Sequence, residues 1–157
     1  MIDPIQEVEA EFSLCEEDFP SSFKNMAHED DYKIIDTYFK PEFIYHKNGK
    51  HRRLILRICW KIKNTEQYIP ISFVCDTGAP YYLYLSSPAK KILSANNLIE
   101  KDDKEDEYIY MSHFKAGIEG TPKSHQPANI IGLSSLLNLN LCLHNTGFSI
   151  DENIKYF

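Results

Sequence analysis

No stretch of this 157-residue chain approaches the roughly 18 to 20 consecutive apolar residues that a bilayer-crossing helix needs, which argues against a membrane-spanning protein. The N-terminus also lacks the basic start and apolar run of a secretory leader, because Met1 to Phe12 is acidic; an intracellular address is expected. Cysteine is scarce. Cys15, Cys59, Cys75 and Cys142 form no Cys-x-x-Cys pair, so neither a disulfide framework nor a zinc knuckle is expected, and the thiols should be reduced. The six histidines have neither His-Glu-x-x-His nor His-x-His spacing, and no metal or organic cofactor is expected. No internal repeat is visible. What is present is 43% hydrophobic and 13% aromatic content, enough for one core and too little chain for two ordinary domains.

Charge divides the chain. The net charge is -6, yet Met1 to Asp31 holds ten acids against the single base Lys24, leaving 13 acids and 16 bases for Tyr32 to Phe157. The N-terminal stretch has no sustained period of 2 or 3.6 and contains the breaker Phe19-Pro20-Ser21-Ser22. Residues 1–40 are therefore expected to be an acidic, partly disordered extension, and residues 41–157 the folded domain. The basic cluster Lys50 to Arg53 abuts a turn and has no companion, so it reads as a solvated hairpin end and no nucleic-acid partner is expected.

The domain reads as all-β with two short helices. Leu54, Leu56, Ile58, Trp60 and Ile62 share one parity, with Arg53, Arg57, Lys61 and Lys63 on the other, the pattern of a long half-buried strand. Phe43 to His46 before Asn48-Gly49 predicts the first arm of a hairpin. Tyr68 to Cys75 is rich in β-branched and aromatic residues, with Pro70 predicting an edge position or a bulge. Tyr82 to Leu85 and Tyr108 to Met111 predict further strands. Ser87-Pro88 predicts the capped start of a helix that ends near Asn96-Asn97. After Ile130-Ile131-Gly132, Leu133 to Leu137 predicts two helical turns, and Leu139, Leu141 and Leu143 alternate with polar residues before a turn at Asn145-Thr146-Gly147.

Asp76-Thr77-Gly78-Ala79 directly follows the apolar strand Ile71 to Cys75 and lies 53 residues before Asn129-Ile130-Ile131-Gly132. A turn at a strand end lifts a carboxylate out of the sheet, and glycine admits another backbone close by. Hydrolysis of a peptide by aspartate needs two carboxyl groups that share one proton: one activates water, the other protonates the carbonyl oxygen. Only one such triplet is present. Asp36-Thr37 is followed by Tyr38 rather than glycine, and Asn145-Thr146-Gly147 offers an amide rather than an acid. The second carboxyl is therefore expected from a second copy of Asp76 across a two-fold axis.

Over Arg53 to Ile150 these motifs resemble the retroviral-type aspartic proteases, the retropepsins. The resemblance implies a single-lobe, closed acid-protease β-barrel that acts as a homodimer on peptide or protein substrates. It implies Asp76 as the catalytic residue and Thr77, Gly78 and Ala79 as the active-site loop, with the Thr77 hydroxyls interlocking across the axis. It also implies that Ile130, Ile131 and Gly132 pack beneath that loop. The chain departs from the family at Pro80 and Leu133, where an aspartate and an arginine commonly pair, and at Tyr82, where a threonine or serine is usual. By spacing, the flap that closes over substrate should tip at Lys101 to Asp106, a run without glycine, rather than at Ala116 to Gly120; its acidity would favour basic peptides. Cys75 reads as a small buried hydrophobe. The other reading is a catalytically inactive retropepsin-fold dimerisation or peptide-binding module. The acidic arm could also mask the cleft as a prosegment, and Ile150 to Phe157 could supply an interfacial strand.

Overall fold

A computed structural model describes residues 27–48, 51–144 and 147–150. The expected hairpin forms from β1 (Glu42–Asn48) and β2 (His51–Lys61), paired from Glu42↔Arg57 to Asn48↔His51, so Asn48 is the last paired residue of β1 rather than a turn residue; residues 49–50 lie outside the described residues. β2 then pairs antiparallel with β3 (Tyr68–Asp76). The remaining elements are β4 (Leu83–Leu85), α1 (Ser87–Ala95), β5 (Glu100–Lys101), β6 (Glu107–Met111), β7 (Phe114–Gly120), β8 (Ile130–Gly132), α2 (Leu133–Asn138), β9 (Cys142–His144) and β10 (Gly147–Ser149). The fold is mostly β with two short helices, as expected.

Eight strands form one mixed sheet in the order β1-β2-β3-β8-β4-β7-β6-β5. β3 runs parallel to β8, and β4 runs parallel to β7 while pairing antiparallel with β8. The closed barrel expected from sequence is corrected here to an open sheet. Its ends are β1, which pairs only with β2, and the two-residue β5, and no pairing joins them among the described residues. β9 and β10 form a separate ribbon.

The core lies on one face, where Leu56, Ile58 and Trp60 of β2 meet Ile69, Ile71 and Phe73 of β3, with Leu83, Leu85, Ile109, Met111 and Ile131. α1 presses Ala89 and Leu93 onto this layer and α2 presses Leu136. Each of the larger of these side chains contributes roughly 1.5 to 3 kcal/mol by leaving water. Trp60 fixes the far side of the sheet as well: its ring meets Phe73 edge-on and its Nε1–H donates to the Tyr110 carbonyl at 3.0 Å. Ser86 rather than Ser87 is the N-cap of α1, accepting the Ala89 N–H, which places Pro88 inside the first turn.

Two strand expectations are corrected. β2 is not half-buried, because Ile55, Arg57 and Cys59 on its polar parity are also buried. Residues 27–41, most of which fall in the extension expected from sequence, cover that face. The Phe39 ring lies 4.3 Å from the Arg57 guanidinium, and Cys59 donates to the Phe39 carbonyl. Nor is Pro70 at an edge, since it stands opposite Cys59 within β3. A residue's N–H and C=O point to the same side of an antiparallel strand, and the Pro70 carbonyl accepts from Tyr32 N–H at 3.0 Å. The missing N–H therefore faces the N-terminal segment and no β2–β3 ladder bond is lost.

Candidate active site

Asp76 is the last residue of β3, and it is buried, 8% exposed. Its Oδ1 accepts the Gly78 N–H at 2.9 Å and its carbonyl accepts the Ala79 N–H at 3.2 Å, a tight turn that holds the carboxyl at the strand end. Thr77 is exposed at the tip, Gly78 is buried, and Ala79 packs against the apolar cluster of Ile55, Val74, Ala128 and Ile130. The structure thus brings the sequence-chosen residues together. β8 runs alongside in register, with Val74↔Ile130, Cys75↔Ile131 and Asp76↔Gly132.

Beyond the turn, the chain crosses in front of β8 and is laced to it. The Gly132 N–H donates to the Tyr82 carbonyl and the Leu133 N–H to the Ala79 carbonyl, both at 2.9 Å. The Ser134 and Ser135 hydroxyls, at the start of α2, donate to the carbonyls of Pro80 and Tyr82. Glycine at 132 is a steric necessity: a Cβ there would stand 1.9 Å from the Tyr81 carbonyl oxygen and 2.7 Å from that of Ala79.

Sequence reading missed the aromatic wall beside this loop. The Tyr81 hydroxyl lies 2.8 Å from where a Cβ on Gly117 would stand, so its ring rests on β7 where there is no side chain. Tyr82 and Tyr84 meet Tyr81 edge-on, and Tyr82 also leans on Phe114. Burial, then the charges of Glu119, Asp106 and Asp102, raise the Tyr81 phenol above its usual value; burial, with smaller contributions from Glu119 and Asp76, does the same at Tyr84. Both rings therefore stay neutral hydrogen-bonding groups through the physiological range. The acidic run forms the hairpin between β5 and β6, closed by the Asp102 N–H donating to the Asp106 carbonyl. Lys63 to Glu100 at 3.0 Å and Lys90 to Glu107 at 2.8 Å pin its base. Ala116 to Gly120 lies within β7 and is no hairpin tip.

Burial holds the thiol of Cys75, next to Asp76 in sequence, up at about 12, and raises that of Cys59 as well. A pKa near 12 leaves roughly one thiol in ten thousand ionised at pH 8. Iodoacetamide applied to the folded protein at pH 8 is thus expected to label exposed Cys142 and to spare Cys59 and Cys75, read by peptide mass spectrometry. Rapid labelling of Cys75 would contradict its packing against the core.

Among the described residues there is no group of three His, Cys, Asp or Glu that could hold a metal, and no helix long and apolar enough to cross a membrane. Asp31 and Arg57, which sequence placed in the extension and on a solvated strand face, are instead buried together, with Arg57 Nε 3.8 Å from Asp31 Oδ1. Comparisons of the chain with protein-family models, with curated proteins and with solved structures gave no match.

Proposed function

We infer that the protein is a retropepsin-like aspartic endopeptidase that acts as a homodimer, the Asp76 carboxyls of two copies forming the catalytic pair. One observation carries this reading: Asp76 at the end of β3 lies in parallel register with Gly132, and the loop after Asp-Thr-Gly is bound by hydrogen bonds across that glycine. This arrangement fixes the carboxyl at a rigid strand end rather than on a loose loop, as positioning of a reacting group requires. With one such carboxyl per chain, two copies must supply the acid and the base. A proton shared by the pair leaves one oxygen to take a proton from water and another to donate one to the scissile carbonyl.

The surface around the loop supports self-association. Thr77 is exposed, and on the helix bound to the loop Leu133 and Leu137 are 39% and 64% exposed. They lie four residues apart, on one side of α2. Leu137→Glu is expected to weaken self-association by about tenfold or more. Cleavage should fall with it at low concentration and return as concentration rises, measured by sedimentation and by peptide hydrolysis. The direct test incubates the purified chain with a peptide library at mildly acidic pH and sequences the products by mass spectrometry. Internal cleavage that Asp76→Asn removes supports the enzyme. A stable dimer that binds peptides without cutting them supports the inactive binding module.

A further inference from the structure

Tyr81 joins the Asp76 turn to the far half of the sheet. Its carbonyl oxygen crowds the Cβ position of Gly132, the residue opposite Asp76, while its ring reaches the other way and rests on Gly117 of β7. In register, Gly117 stands opposite Tyr108 of β6, and Glu119 stands beside Tyr84 of β4. Alternate residues of a strand share a face. Leu83, Ile109, Met111 and Ile118 face the core, so Tyr84, Tyr108, Tyr110 and Glu119 look out on the side where Tyr81 lies. Tyr110 and Glu119 are exposed, and Tyr81, Tyr84 and Tyr108 are half-buried. Only β8 and β4 separate β3 from β7, three strand spacings or about 14 Å, which an extended peptide covers in about four residues.

The charges around this face do not balance. Over residues 100–120, Glu100, Glu105 and Glu107 are matched by Lys63, Lys101 and Lys90. Asp102, Asp103, Asp106 and Glu119 form no ion pair among the described residues, and the only other lysines in that stretch are Lys104 and Lys115. Four acids against two lysines leave two negative charges in surplus. After burial, the charges of Glu119, Asp106 and Asp102 are what raise the Tyr81 phenol, so these carboxylates lie within electrostatic reach of its ring. The face also holds a cation already: Lys115 Nζ stands 4.8 Å from the centre of the Tyr108 ring and 5.9 Å from that of Tyr110.

We propose that this tyrosine-lined face is a docking surface for a substrate peptide that carries lysine or arginine about four residues from the scissile bond, with Tyr81, Asp106 and Glu119 as the specificity residues. The aliphatic stem of such a side chain lies along the rings, and its cationic head meets a ring face and the two carboxylates. Charge selects this occupant, because an acidic segment would add to a surplus that is already negative. The proposal rests on the endopeptidase reading for its cleavage arm, while its binding arm is independent of that reading.

The test uses the full chain and peptides in which lysine or its uncharged isostere norleucine is scanned through six positions on each side of the cut. One cation–π contact and two exposed charge pairs predict a lysine preference of about fivefold or more at one position in dilute buffer, shrinking at about 1 M salt. In a chain carrying both Asp106→Asn and Glu119→Gln, two exposed positions whose change leaves the core untouched, the ratio should fall to about one. Tyr81→Leu should lower it as well. Glu29→Gln, which removes an exposed charge from the N-terminal segment, should leave it in place. Binding of the same peptides to Asp76→Asn, followed by fluorescence anisotropy, should show the same preference. That assay decides the matter even if the native chain cuts nothing, a result that would sink the endopeptidase reading alone. Equal handling of lysine and norleucine in both assays, no binding of either peptide, or a lysine preference that the doubly substituted chain retains overturns the proposal.

Discussion

Replacing Asp76 by asparagine is expected to lower peptide cleavage by about a thousandfold or more, with the fold and the dimer retained. The substitution is structurally mild. An asparagine carbonyl oxygen can still accept the Gly78 N–H now received by Oδ1 at 2.9 Å, so the turn keeps its geometry. What disappears is the ability of the position to hold or release a proton, which the chemistry needs twice. Unfolding profiles and sedimentation of native and Asp76→Asn chains should therefore coincide while turnover does not. A mixing experiment then separates a shared site from a site within one chain. In an equal mixture of freely exchanging copies about a quarter of the dimers carry two native chains, so a shared site predicts activity that falls with the square of the native fraction. A linear fall, or residual cleavage by Asp76→Asn near the native rate, would end the homodimeric aspartic mechanism.

Much of this arrangement is legible in the sequence because short-range chemistry dictates it. The alternation of Leu54 to Ile62 marks β2, Ser-Pro marks the start of α1, and Asp-Thr-Gly after an apolar strand marks a turn that presents a carboxylate. The errors come from long-range packing. Arg57 looks like a solvent-facing residue from its neighbours in β2, and only the return of residues 27–41 across the sheet buries it beside Asp31 and Phe39. Pro70 looks like an edge residue because proline removes a ladder donor, yet its free side faces that same returning segment. Likewise Tyr81 resting on Gly117 joins positions that no local pattern connects.

The second large effect is expected at Gly132, where alanine should cost about 3 kcal/mol or more and lower the melting temperature by roughly 10 °C. Backbone conformation is not the reason: Gly132 has φ -90°, open to any residue. The obstacle is space. An added Cβ would meet the carbonyl oxygens of Tyr81 at 1.9 Å and Ala79 at 2.7 Å, both backbone atoms that no rotamer change can move. The loop that owns them cannot simply retreat, because its carbonyls at 79, 80 and 82 accept hydrogen bonds from Leu133, Ser134, Gly132 and Ser135. Moving it would break those bonds and drag the Asp76 turn out of register with β8, so cleavage should fall even in molecules that remain folded. Gly120 provides the control, since an added Cβ there meets nothing within 4 Å; Gly120→Ala should change stability by no more than about 0.5 kcal/mol. Thermal unfolding and peptide hydrolysis of the two variants side by side measure both effects. A Gly132→Ala protein that melts and cuts like the native chain would mean that the loop is free to move, and that the close crossing over β8 does not hold Asp76 in place.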